Sequence, residues 1–221
     1  AMETDANYRN AYCYRRRQSE TAGLGFEVPL LLDREEDLGS PAKRRLRRDR
    51  VIGSYSDVLP NGPYDAARLR EVMPERCHAR DWDLVYSSQR HGLSMNTFFH
   101  KVAGKKDTVL LIQDDAGYVF GAFIPSEWKN STQEFYGTGE CFVFRLFPFF
   151  QKYIWTGENS MYLMTDMSGL VMGGGGKAAI WLDSEFNNGG SGPCSTYGSE
   201  CLGSREIFNC IHLEVWKMFD D

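Results

Sequence analysis

Thr108-Val109-Leu110-Leu111-Ile112-Gln113-Asp114-Asp115-Ala116-Gly117-Tyr118-Val119-Phe120-Gly121-Ala122-Phe123-Ile124 sets two apolar runs on either side of an Asp/Gly turn. Strand formers dominate both runs and the period falls to two, so the stretch predicts a β-hairpin. Downstream, short apolar segments recur between turn residues at 141–147, 152–155, 161–164, 170–172 and 178–182. Upstream the pattern differs. Residues 63–73 read as a short helix, with Pro63 suited to its first turn and Pro74 stopping it. Residues 82–87 alternate as a half-buried strand does. Met95, Phe98, Phe99 and Val102 recur at helical spacing behind Ser94, placed as N-cap, and that helix ends at Gly104. Many short strands with helices confined to the front predict an α+β, β-rich fold: a two-sheet antiparallel β-sandwich with flanking short helices. Residues 205–219 fit a helix or a strand. A strand is preferred there, because it would close a sheet edge.

The chain has 221 residues, 42% of them hydrophobic, with 22 Gly and a net charge of −5. That is enough chain for one domain with an appendage, and the composition excludes a wholly disordered or collagen-like protein. The charge is unevenly spread. Residues 1–50 carry 11 Lys/Arg against 9 Asp/Glu, whereas residues 51–221 carry 14 against 21. Basic clusters Arg15-Arg16-Arg17 and Lys43-Arg44-Arg45-Leu46-Arg47-Arg48 flank an acidic run, and Val28-Pro29-Leu30-Leu31-Leu32 is the one sustained apolar stretch. Residues 1–53 are therefore expected to be a polar, disordered or loosely packed segment, with Ala1-Met2 resembling a cloning remnant, and 54–221 to form the domain. An acidic body argues against nucleic acid as partner. Without a long apolar run or an N-terminal apolar region, an intracellular, cytoplasmic, monomeric protein is expected, with nuclear or organelle-surface placement only through a partner.

Familiar catalytic and metal patterns fail on inspection. Gly173-Gly174-Gly175-Gly176-Lys177 lacks the first Gly and the Ser/Thr of a phosphate loop. Six Cys include no C-x-x-C pair, so neither metal, cofactor nor disulfide is expected, and Asn130-Ser131-Thr132 is a glycosylation sequon only in form. What stands out is polar residues bracketed by glycine beside aromatics: Phe135-Tyr136-Gly137-Thr138-Gly139-Glu140, Trp155-Thr156-Gly157-Glu158-Asn159-Ser160, and Trp181-Leu182-Asp183 before Asn187-Asn188-Gly189-Gly190-Ser191. Loops on a rigid sheet are where binding usually resides. Gly137, Thr138, Gly139, Glu140, Glu158, Asn159, Gly175, Gly176, Asp183 and Ser191 are the candidate partner-binding residues. The same glycines serve equally as left-handed turns, and the acids as caps of backbone N–H groups.

Taken with Gly92-Leu93-Ser94, Phe120-Gly121-Ala122-Phe123 and Ile211-His212-Leu213-Glu214-Val215-Trp216, these segments resemble the TLDc domain family, in family order over residues 54–221. The chain looks most like the family's short members that carry this domain alone. The resemblance implies the same sandwich, a role in resistance to oxidative stress, and association with the vacuolar-type proton pump. It implies no agreed enzymatic mechanism.

A non-catalytic interaction module is the preferred function, with Glu140, Glu158 and Asp183 offering negative charge to a basic patch on its partner. One alternative is an antioxidant acting through a cysteine, for which Cys77, between Arg76 and His78, is the candidate; it needs an exposed thiol of lowered pKa. Another is a hydrolase pairing Glu140 with Asp183, which needs the two carboxyls roughly 5–10 Å apart.

Overall fold

The computed structural model describes residues 56–131 and 133–219. The expectations for residues 1–53, for the boundary at 53/54 and for Thr132 of the sequon lie outside them. Helix α1 (Pro63–Val72) and a single 3-10 turn, Glu75–Cys77, precede strand β1 (Asp81–Ser87). Helices α2 (Ser88–His91) and α3 (Met95–Val102) follow. Strands then run without further helices: β2 (Thr108–Asp114), β3 (Val119–Ile124), β4 (Phe142–Phe147), β5 (Gln151–Ile154), β6 (Leu163–Asp166), β7 (Gly169–Met172), β8 (Ile180–Asp183), β9 (Asn188–Gly190) and β10 (Ile207–Phe219).

All strand pairs are antiparallel, and the predicted hairpin is present, paired from Thr108↔Ile124 to Gln113↔Val119. Asp114 fixes its turn, with Oδ1 accepting the main-chain N–H groups of Ala116 and Tyr118 at 3.0 and 2.8 Å. Residues 109–112 and 119–124 are buried on both faces because alternate side chains enter different cores. Leu110, Ile112, Phe120 and Ala122 face one, while Val109, Leu111 and Phe123 face the other.

The path β5-β4-β3-β2-β10-β9-β8-β7-β6 becomes a sandwich through the 13-residue β10. Its start pairs with β9 (Ile207↔Gly190, Asn209↔Asn188), and its later residues lie between β2 (Val215↔Leu110) and β1 (Met218↔Trp82). An irregularity between Cys210 and His212 marks where it leaves one sheet for the other. Between the halves, Leu110 and Phe120 pack in one cluster with Leu170, Leu182 and Phe208, joined by Met95, Phe98 and Val102 of α3. On the outer face of the β5-β4-β3-β2-β10-β1 half, Ala66 and Leu69 of α1 and the following Met73 cover Phe123, Phe142, Phe144 and Trp216.

Several details depart from expectation. The C-terminal segment is a strand, but an interior one that joins both halves and closes no edge. Ser94 takes the extended N-cap conformation of α3 without a side-chain cap bond. Residues 188–190, expected as glycine-rich loop, form β9, and α2 had no counterpart in the sequence pattern. Among the described residues, no helix is long and apolar enough to cross a membrane.

Candidate functional site

The 137–140 turn delivers its chain into β4, and its position depends on Trp155. A Cβ on Gly139 would overlap the Trp155 ring, so the ring lies directly on this glycine. Trp155 is held by two further contacts. Its Nε1–H donates to the Asn159 carbonyl at 2.7 Å, and its ring meets that of Tyr162 edge-on at 5.5 Å. Asn159 carries the order onward: Nδ2 donates to Ser195 Oγ at 3.1 Å, and Oδ1 accepts from Thr196 Oγ1 at 2.7 Å. Thr196 Oγ1 in turn accepts the Gly174 N–H at 2.9 Å, and a side chain on Gly175 would collide with Ser195. The sequence candidates Gly137, Thr138, Gly139, Glu140, Glu158, Asn159, Gly175 and Gly176 thus belong to one connected cluster of loops, and Glu158 stands exposed within it. The 173–177 loop is packed by these contacts, with Lys177 engaged by Glu206 at 2.6 Å.

Beside this cluster a cleft of about 280 Å³ opens between the end of α1 and strand β5. Met73, Pro74, Phe142, Lys152, Ile154 and Trp155 line it, together with the 139–141 segment. Ile154 is 64% exposed and Trp155 36%, a large apolar exposure for neighbouring residues. At the rim, Arg76 grips Glu140 through two bonds of 2.8 Å and reaches Asp107 at 3.2 Å. Arg80 closes on the same Asp107 at 2.6 Å. Neither the cleft nor this ion network was apparent from the sequence.

Two candidates are committed within the fold. Asp183 leaves β8 at the end where it pairs with Gly169, whereas the 173–177 loop departs from the Met172↔Ile180 end. Its carboxylate accepts the N–H groups of Asn187 and Asn188 at 2.9 and 3.1 Å and Asn188 Nδ2 at 2.7 Å, holding the β8–β9 turn. The pairing of Glu140 with Asp183 therefore fails, since one is bound to Arg76 and the other serves a turn at the far end of the strands. Ser191 is buried; its Oγ donates to the Ala179 carbonyl at 2.6 Å and accepts the Leu202 N–H at 2.8 Å, so it offers a partner nothing.

Cys77 and Cys141 are equally withdrawn. Cys77 is fully buried, and burial followed by the charge of Asp107 pushes its pKa up despite Arg76 and Arg80 nearby. That is the reverse of the exposed, acidified thiol that direct cysteine chemistry requires. Cys141 is buried too, and pushed up to about 11, again mainly by burial. Among the described residues, no group of three or more His, Cys, Asp or Glu could hold a metal ion.

The sequence matches the TLDc domain family over residues 62–219, which spans every strand, the cleft and the loop cluster. The chain belongs to the TLDc domain family. Similar proteins include oxidation resistance protein 1 of Rattus norvegicus, 35% identical over 203 residues, and of Homo sapiens, 34% over 194. Nuclear receptor coactivator 7 of Homo sapiens is 38% identical over 168 residues. These alignments take in 89, 85 and 75% of this chain, but only 24, 22 and 18% of the relatives. The chain thus spans less than a quarter of the length of the curated relatives it matches.

Proposed function

We propose that this TLDc domain is a non-catalytic interaction module that contributes to resistance to oxidative stress by binding the vacuolar-type proton pump, as a cytoplasmic monomer. The observation that carries this reading is the open apolar cleft beside β5, lined by Ile154, Trp155, Met73 and Pro74, at a site with no accessible thiol. An apolar depression with a polar rim is suited to a protein partner. The name of the oxidation resistance relatives supports the stress role, and the family resemblance supports the pump as partner. The reading also changes the expected electrostatics: Glu140 is neutralised by Arg76, so negative charge on these loops is supplied chiefly by exposed Glu158.

The test is capture of purified peripheral subunits of the pump by the full chain, beside an Ile154→Asp and a Glu140→Ala variant. Capture is expected with the intact chain, lost with Ile154→Asp and weakened with Glu140→Ala. No capture by the intact chain overturns the pump assignment, and undiminished capture by Ile154→Asp overturns the cleft as its site.

A further inference from the structure

Lys152 is the charge left over in the cleft. Its ammonium donates to the Val72 carbonyl at 2.6 Å and lies 4.0 Å from the centre of the Phe142 ring. Among the described residues, no carboxylate pairs with it. Burial pushes its pKa down from the usual lysine range, the sign of a cation short of compensation. Its charged neighbours are already balanced, Arg76 and Arg80 against Asp107 and Glu140. A carboxylate brought beside Lys152 would therefore be attracted by a partly desolvated cation in apolar surroundings, where such pairing is strongest.

The backbone supplies the second half of the inference. β5 ends the sheet path and pairs only with β4 among the described strands. Alternate residues of an edge strand turn free N–H and C=O groups outward, a template for one more strand. Lys152 and Ile154 lie opposite Phe144 and Phe142, on the cleft face, while Tyr153 between them enters the inner core. A strand added to β5 would lay every second side chain over the cleft.

Resting on the cleft as the docking surface, we propose that what it receives is an extended segment of a partner protein carrying one carboxylate between two apolar side chains, each two residues away, added antiparallel to β5. The carboxylate meets Lys152 Nζ, and the flanking apolar side chains lie along the same face of β5, one of them over Ile154, two residues from Lys152. A single cation in an apolar trough suits one acid of a peptide. It does not suit a phosphate backbone, which needs a row of cations.

The experiment titrates the full chain into a fluorescein-labelled peptide, Ser-Leu-Thr-Glu-Thr-Leu-Ser, and reads anisotropy. Saturable binding is expected, weakened about tenfold when the central glutamate is replaced by glutamine, the size of one charge-assisted hydrogen bond. N-methylation of the amides along one edge of the peptide should abolish binding, and along the other edge leave it unchanged. Lys152→Met, which keeps the apolar stem, should weaken the glutamate peptide about tenfold and leave the glutamine peptide unaffected. Absence of binding, equal binding of the two peptides, or indifference to methylation of either edge overturns the proposal. The wild-type peptide comparisons stand whether or not Lys152→Met folds. Capture of the pump by a chain that ignores these peptides would sink this inference alone, and binding of the peptides without capture would sink only the pump assignment.

Discussion

Asp183 and Cys77 show how far a residue's role depends on what reaches it through space. Asp183 has the composition of a contact residue, yet three donors from Asn187 and Asn188 occupy its carboxylate. Asp183→Ala should cost about 1–2 kcal/mol, read as a lower urea midpoint with unchanged m, while pump capture stays as in the parent. Loss of capture at unchanged stability would return Asp183 to the site. For Cys77, the native chain should leave this thiol unlabelled by a thiol reagent until denaturant is added, and Cys77→Ser should consume peroxide at the parent's rate; rapid native labelling would contradict its burial. The sequence placed Arg76 beside Cys77 and suggested an acidified thiol. The guanidinium instead turns to Glu140, 64 residues away, a pairing that spacing along the chain does not encode. Glycine clusters are more legible, because close approach is written into composition: Gly139 lies under Trp155.

At the scale of elements, β2 and β3 were legible from strand formers and turn chemistry, whereas β10 read as either helix or strand. The cause is its double service. Phe208 belongs to the half that pairs with β9, Leu213 and Val215 to the half between β1 and β2, and the irregularity at Cys210/His212 breaks a single alternation. Ile207 and Ile211 stay exposed, so hydrophobicity alone misreports the buried face. β9 was missed because its Gly189 and Gly190 pack by backbone approach with no side chains to signal a strand. Glu214, deep in β10, accepts Ser56 Oγ–H and Asp57 N–H at 2.7 Å and Trp216 Nε1–H at 2.9 Å. Burial outweighs these donors and raises its pKa. A raised folded value means that its contribution is fully present below the unfolded pKa and is lost as pH rises through the folded one. A carboxyl-detected NMR titration should place Glu214 above the ordinary glutamate range, and a midpoint at or below that range would contradict its burial. In β3, a side chain on Gly121 would strike the Leu110 carbonyl of the paired strand. Gly121→Ala should therefore cost about 3 kcal/mol or prevent folding, measured as soluble yield and thermal midpoint, and a parent-like midpoint would refute the close approach.

For the whole molecule, the sandwich follows from alternating apolar runs and turn residues that a reader of the sequence can see, but the cleft does not. It arises where the end of α1 meets an edge strand some 80 residues later in the chain, a meeting marked by the Lys152 to Val72 bond. Ile154 looks like any strand residue in sequence; only its outward register beside Trp155 makes it part of the cleft lining. The acidic balance of residues 51–221 pointed to a basic partner patch, yet the ion pairs at the rim leave Lys152 as the cleft's free charge among the described residues. Hydrogen–deuterium exchange of the full chain, with and without the pump's peripheral subunits, tests the cleft as docking surface most directly. Protection on binding should concentrate at 73–76, 139–142 and 151–155, with 183–188 unchanged. Protection at 183–188 with the cleft segments unaltered would contradict the account.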